Sequence, residues 1–147
     1  MSLFVHGTCV AVENIGCLLL GPSGSGKSDL ALRLVMDHDA KLVADDQVAV
    51  ERKTDRLIAS PPASLAGLIE VRGLGIVRLP HRARTTLGLA VVLVAPAEVE
   101  RLPLEEEGIE YFGVGLPLLR LAPFEVSAAQ KVRLAARLRK SSIRRRS

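Results

Sequence analysis

Residues 21–28 read Gly-Pro-Ser-Gly-Ser-Gly-Lys-Ser, a complete G-x-x-x-x-G-K-[ST] loop. The apolar run Cys17–Leu20 precedes it, and Asp29–Val35 follows with helical spacing. That strand–loop–helix setting gives the pattern its meaning. Glycines let backbone N–H groups close around phosphate oxygens, and a helix N-terminus adds favourable partial charge. In such a loop Gly21, Pro22, Ser23, Gly24, Ser25 and Gly26 form the cradle. Lys27 reaches the β/γ-phosphates, and the Ser28 hydroxyl holds Mg²⁺. The full pattern in this context argues against a mere Gly/Ser-rich turn and for a nucleotide or other polyphosphate as ligand.

A phosphate loop names a ligand, not a reaction. Phosphoryl transfer also needs acids for Mg²⁺ and, for a hydroxyl acceptor, a base for its proton. Asp45 and Asp46 end the short apolar segment Lys41–Ala44, expected to lie beside the loop strand. Adjacent residues of a strand face opposite ways, so only one of the two enters a site directly. Glu70 lies within the apolar run Leu68–Val71, where it is either a metal ligand or an ordinary solvent-facing residue. His6 sits in another apolar strand, where a lone histidine is more often a hydrogen-bonded structural residue. The residues alone thus describe a Mg²⁺-dependent phosphate-loop enzyme with an acid pair and leave its acceptor open.

The elements that position these groups read as follows. Leu3–Val12 is expected as one strand, turning at residues 13–16 into Cys17–Leu20 as a hairpin that delivers the loop. A helix is expected over about 27–37, with strands at 41–46, 47–52, 57–59, 68–71, 87–95 (the most apolar, hence central) and 116–121. A last amphipathic helix from about residue 127 is expected to turn Val132, Leu134 and Leu138 towards the core. Many hairpins among few helices predict an α/β protein with a mixed β-sheet and flanking helices. The chain has 147 residues, enough for one domain with a real core. Its apolar fraction is 48% but its aromatic fraction only 3%, so that core must be aliphatic. No apolar run approaches the roughly 18–20 residues of a membrane span. No signal-peptide pattern is seen at the N-terminus. Cys9 and Cys17 sit in apolar strands and suggest buried thiols, so a cytoplasmic protein is expected. The net charge of +4 conceals an asymmetry: from Lys131 onward there are eight Lys/Arg and no acid, leaving the body at −4. The expected organisation is a catalytic domain over 1–136 and a basic, solvated tail over 137–147, with no nucleic-acid surface.

At residues 70–76, Glu-Val-Arg-Gly-Leu-Gly-Ile, the sequence resembles the E-[IV]-R-G-L-G-I signature of bacterial HPr kinase/phosphorylases, which modify a serine of the phosphocarrier protein HPr. His6-Gly7, the segment Leu42–Asp46 (similar to the family's L-[IV]-A-D-D), Pro61-Pro62, and Glu100-Arg101-Leu102 follow the family's order. The resemblance covers roughly residues 4–102. It implies a fold similar to the nucleotide domain of phosphoenolpyruvate carboxykinase, ATP and Mg²⁺ as donor and cofactor, an HPr-like partner and a hexamer. It assigns Lys27 to the β/γ-phosphates, Ser28 and Glu70 to the metal, and the Asp45–Asp46 pair to the serine proton, with Asp45 favoured. His6 would then assist at the phosphates, and Arg101 would stabilise transferring charge. Three departures stand out. The family's N-terminal domain is expected to be missing, the sequence resembling the short forms found in some proteobacteria. Pro22 and Asp29 replace the usual Asp and Glu. A Pro-Gly-Arg-Asn element linked to phosphorolysis has no clear counterpart, residues 116–120 standing in its approximate place. A serine kinase is thus better supported than the reverse phosphorolysis. The rival readings are a nucleotide-sensing module without transfer and a phosphate-loop kinase for a small molecule.

Overall fold

The computed structural model describes residues 1–101 and 107–146, with side chains to residue 140. Eleven strands and two helices follow one another as β1 (Ser2–His6), β2 (Thr8–Val12), β3 (Ile15–Leu20), α1 (Lys27–Asp37), β4 (Lys41–Ala44), β5 (Gln47–Lys53), β6 (Arg56–Ser60), β7 (Leu68–Val71), β8 (Gly75–Arg78), β9 (Thr85–Leu93), β10 (Glu107–Tyr111), β11 (Val114–Leu121) and α2 (Ala128–Arg146). Nine strands form one mixed sheet along the path β1-β5-β6-β9-β3-β2-β4, with β11 and β10 branching from β9. β3 and β11 run parallel to β9; the other neighbours in this sheet are antiparallel. β9 is central, as its apolar sequence requires. Its start pairs with β6 and its end with β11. β7 and β8 form a separate hairpin.

One face of the sheet packs on the helices. Val10, Cys17, Leu19, Leu89 and Val91 from the strands meet Leu30 and Leu34 of α1 and Val132 of α2. The other face is closed by the sheet curling over itself, so that Val48, Val50 and Leu57 cover Cys9, Leu18 and Ala90. The fully buried core is aliphatic apart from two cysteines, and Tyr111 and Phe112 pack only at its margin. Cys9 and Cys17 are both buried. They belong to opposite faces, one in each core layer, so the strands hold the two thiols apart.

Two expectations needed correction. The predicted strand over residues 3–12 is two strands. The chain breaks at Gly7 so that β1 pairs with β5 while β2 pairs with β3 and β4. A Cβ at Gly7 would lie 2.8 Å from the Leu19 carbonyl oxygen, a close approach only glycine allows. In α2, Val132 is buried, but Leu134 and Leu138 are 56% and 64% exposed. Ala128, Ala129, Val132 and Ala136 form the packed stripe instead, because small side chains bring the helix close to the sheet. α2 itself spans Ala128–Arg146. Arg137 bonds to Glu13 and Arg139 donates to the Gly88 carbonyl, so the first residues of the basic segment are docked on the body.

Candidate functional site

The loop 21–26 leads from β3 into α1, and three of its glycines hold positive φ: Gly21 at 156°, Gly24 at 82° and Gly26 at 100°. Gly26 is the N-cap of α1 and provides no side-chain cap. One backbone bond, from Ser25 N–H to the Pro22 carbonyl at 3.0 Å, closes the loop. Among the described residues the N–H groups of Gly24, Gly26, Lys27 and Ser28 have no backbone acceptor. The Ser25 hydroxyl is buried with no partner. Uncapped donors at the positive end of a helix dipole are what an anion would satisfy.

Lys27 is only 8% exposed. Its ammonium donates to the carbonyls of Gly21 at 2.6 Å and Pro22 at 2.9 Å, which hold it folded over the loop. Burial lowers its pKa from the ordinary lysine value, while the charges of Asp45 and Asp46 pull it back up. The lysine therefore senses the charge of both acids, and each acid plays a different geometric part. Asp45, at the end of β4, accepts hydrogen bonds through Oδ1 from the Ser28 hydroxyl at 2.8 Å and the Thr8 hydroxyl at 3.0 Å. Asp46 sits at φ 70°, a left-handed conformation that turns the chain into β5. Its exposed carboxylate faces His6, with Nδ1 to Oδ1 at 3.6 Å. The two carboxylates diverge, though by the left-handed turn at Asp46 and not by strand alternation, since β4 ends at Ala44.

The structure thus brings His6, Lys27, Ser28, Asp45 and Asp46 together. His6 is half-exposed and beside an acid, unlike a buried structural histidine. Glu70 is exposed on β7, next to Ile69, which packs with Leu30 and Leu34 of α1. No hydrogen bond or ion pair among the described residues joins Glu70 to the loop. Arg101 is exposed in a bend, and Leu102 of the same motif lies outside the described residues. Thr8 was not singled out in the sequence. It is fully buried and was hidden by its place in an otherwise apolar strand; its signal was a lone hydroxyl two residues after His6.

The donor set suits Mg²⁺ bound through substrate. Among the described residues no cluster of three His, Cys, Asp or Glu side chains could cage a metal. Mg²⁺ commonly takes one or two protein oxygens, water and substrate phosphates. The Ser28 hydroxyl, its proton committed to Asp45, has lone pairs to offer such an ion.

Fold and site together define a mixed α/β domain with a glycine-rich loop, a buried lysine and uncapped backbone donors at the start of its first helix. The family model for the HPr serine kinase C-terminal domain matches residues 1–135, and the chain belongs to that family. It is 40% identical over 129 residues to an HPr kinase/phosphorylase of Geobacillus thermodenitrificans, covering 80% of this chain and 41% of that one. It is 38% identical over 131 residues to that of Chlorobaculum tepidum, covering 81% and 38%. The chain therefore spans about two fifths of the length of these curated relatives. A solved structure described as the Hpr(Ser) kinase/phosphatase from Coxiella burnetii has the same fold, with a TM-score of 0.84 at 22% identity over 97% of this chain and 99% of that one. Among the described residues no helix is long and apolar enough to cross a membrane.

Proposed function

We propose that this domain transfers the γ-phosphoryl group of Mg²⁺-ATP to a serine of an HPr-like phosphocarrier protein, in a fold related to the nucleotide domain of phosphoenolpyruvate carboxykinase. The observation that carries this reading is the linked set Lys27–Ser28–Asp45 at the uncapped start of α1, in a chain of the HPr kinase family. The Lys27 ammonium exchanges loop carbonyls for β/γ-phosphate oxygens. Ser28, oriented by Asp45, and Glu70 hold the metal, which when bound neutralises charge on the transferring phosphoryl group. Asp45 Oδ2, free of the bonds that occupy Oδ1, accepts the serine proton. His6, beside Asp46, assists at the phosphates, and Arg101 adds positive charge as transfer proceeds. A hexamer acting in the cytoplasm is the assembly and place that the family resemblance implies.

The test is intact-mass measurement of the same organism's HPr-like protein after incubation with this chain and Mg²⁺-ATP. One added phosphoryl group on serine is expected. Lys27→Met should lower transfer at least about a hundredfold, the scale of losing one charge-stabilising donor. Asp45→Asn should retain nucleotide binding and lose about 10²-fold or more in rate, as removal of a general base does. Loss with Asp46→Asn alone would move the base to that residue. Adding inorganic phosphate to the phosphorylated product tests the reverse reaction, in which phosphate attacks phosphoserine to give serine and pyrophosphate.

A further inference from the structure

The segment 122–127 between β11 and α2 lies against the phosphate loop. Arg33 of α1 fixes it there by donating to the carbonyls of Pro123 and, at 3.5 Å, Glu125. Arg33 is itself steered by Asp29, with Nε to Oδ2 at 3.2 Å, at an angle too poor for a hydrogen bond. Lys131 clamps the other side of the segment through Glu125 at 2.8 Å. Between these ties stands Phe124. The tip of its ring rests on Gly26: a Cβ there would meet Cζ at 3.0 Å and Cε1 at 3.1 Å. Yet Phe124 is 72% exposed, and its neighbour Val126 is 94% exposed. The chain has only four aromatic residues, three Phe and one Tyr. One of them is held in solvent by a salt-bridged, hydrogen-bonded strap, one residue from the lysine of the phosphate cradle.

An exposed ring fixed at the rim of an anion site has a specific use. Phosphate oxygens satisfy the loop but cannot cover apolar surface, whereas a nucleoside attached to them can. We propose that Phe124, flanked by Val126, stacks the base of the bound nucleotide and so makes a nucleoside triphosphate, rather than bare pyrophosphate, the preferred ligand. The inference rests on the polyphosphate reading of loop 21–28. Stacking on a π-face tolerates any base, so ATP and GTP should bind within a few-fold of each other.

Calorimetric titration of the wild type, Phe124→Ala, Phe124→Tyr and Lys27→Met with ADP, GDP and pyrophosphate tests this. Phe124→Ala should weaken ADP and GDP about tenfold or more, the range for removing one base stack, and leave pyrophosphate unchanged. Phe124→Tyr should keep wild-type affinity. In ¹H NMR the adenine H2 and H8 signals of ADP should shift upfield on binding to the wild type and lose that shift with Phe124→Ala. Equal weakening of ADP and pyrophosphate by Phe124→Ala would make the ring a brace for the loop and overturn the inference. So would unchanged ADP binding, including the case where only the KM for the phosphocarrier rises. If neither ligand binds, or Lys27→Met binds both as the wild type does, the polyphosphate reading falls and the stacking site with it. Lys27-dependent pyrophosphate binding without any gain from the nucleoside removes the stacking site alone.

Discussion

At the residue scale, Thr8 shows how one hydroxyl can tune a site it does not line. It is fully buried, and its Oγ1 bonds the same Asp45 oxygen that receives the Ser28 proton. Thr8→Val keeps the shape of the side chain and removes one of two donors from that oxygen. A carboxylate losing one of its two donors gains rotational freedom and is held less firmly against Ser28. Phosphoryl transfer should therefore fall several-fold, while ADP affinity stays near wild type. An unchanged transfer rate would make Thr8 a packing residue only. The cysteines give a second test at this scale. Burial raises both thiols, Cys17 to about 12, and thiolate is the reactive form. Neither should be alkylated by iodoacetamide at pH 8 in the folded protein, and both should react in denaturant; labelling of the native chain would show that the two core layers open.

At the scale of elements, Gly26 joins three demands: it caps α1, holds φ 100° and lies under the Phe124 ring. Gly26→Ala forces an L-residue into the left-handed region, at roughly 1–2 kcal/mol, and pushes a methyl group into the ring. A lowered melting temperature with weakened ADP binding is the expected outcome. An unaffected melting temperature would mean that the loop relaxes to another conformation. The loop and α1 were legible in the sequence because their signal is local: eight consecutive residues and a 3.6-residue period. The break at Gly7 was not, because it depends on β5, some forty residues away, competing for β1. The face of α2 was misread for another reason: leucine outweighs alanine in a hydrophobic pattern, although alanine at 128, 129 and 136 is what lets the helix approach. The acid pair was legible as a pair, and its division between Ser28 and His6 was not, because that follows from the left-handed turn at Asp46. Phe124 carried no motif at all; only its place over Gly26 gives it meaning.

At the scale of the whole molecule, the hairpin that leads into loop 21–26 is clasped by α2. The β2–β3 turn is made by Glu13 and Asn14, both at positive φ, the geometry of a tight two-residue hairpin. Glu13 Oε1 then receives Arg137 Nη2 at 2.6 Å and Nε at 3.1 Å, and Arg133 Nε at 3.4 Å. The Arg137 hydrogen bond holds the Glu13 carboxyl below the ordinary glutamate range, with Arg133 and the charges of both arginines adding to it. A carboxyl depressed on folding stabilises the protein above its unfolded pKa of about 4.3, and that contribution fades as pH falls through the lower folded value. The clasp is a surface one, so salt should weaken it as acid does. Hydrogen exchange of the α2 amides should thus accelerate relative to the β3 amides below about pH 4, and at high salt near neutrality. Glu13→Gln should show the faster exchange at pH 7 and lose that acid sensitivity. Should wild type and Glu13→Gln respond alike to acid and to salt, α2 is held by its alanine stripe alone, and the N-terminal hairpin and the terminal helix are joined only through the core.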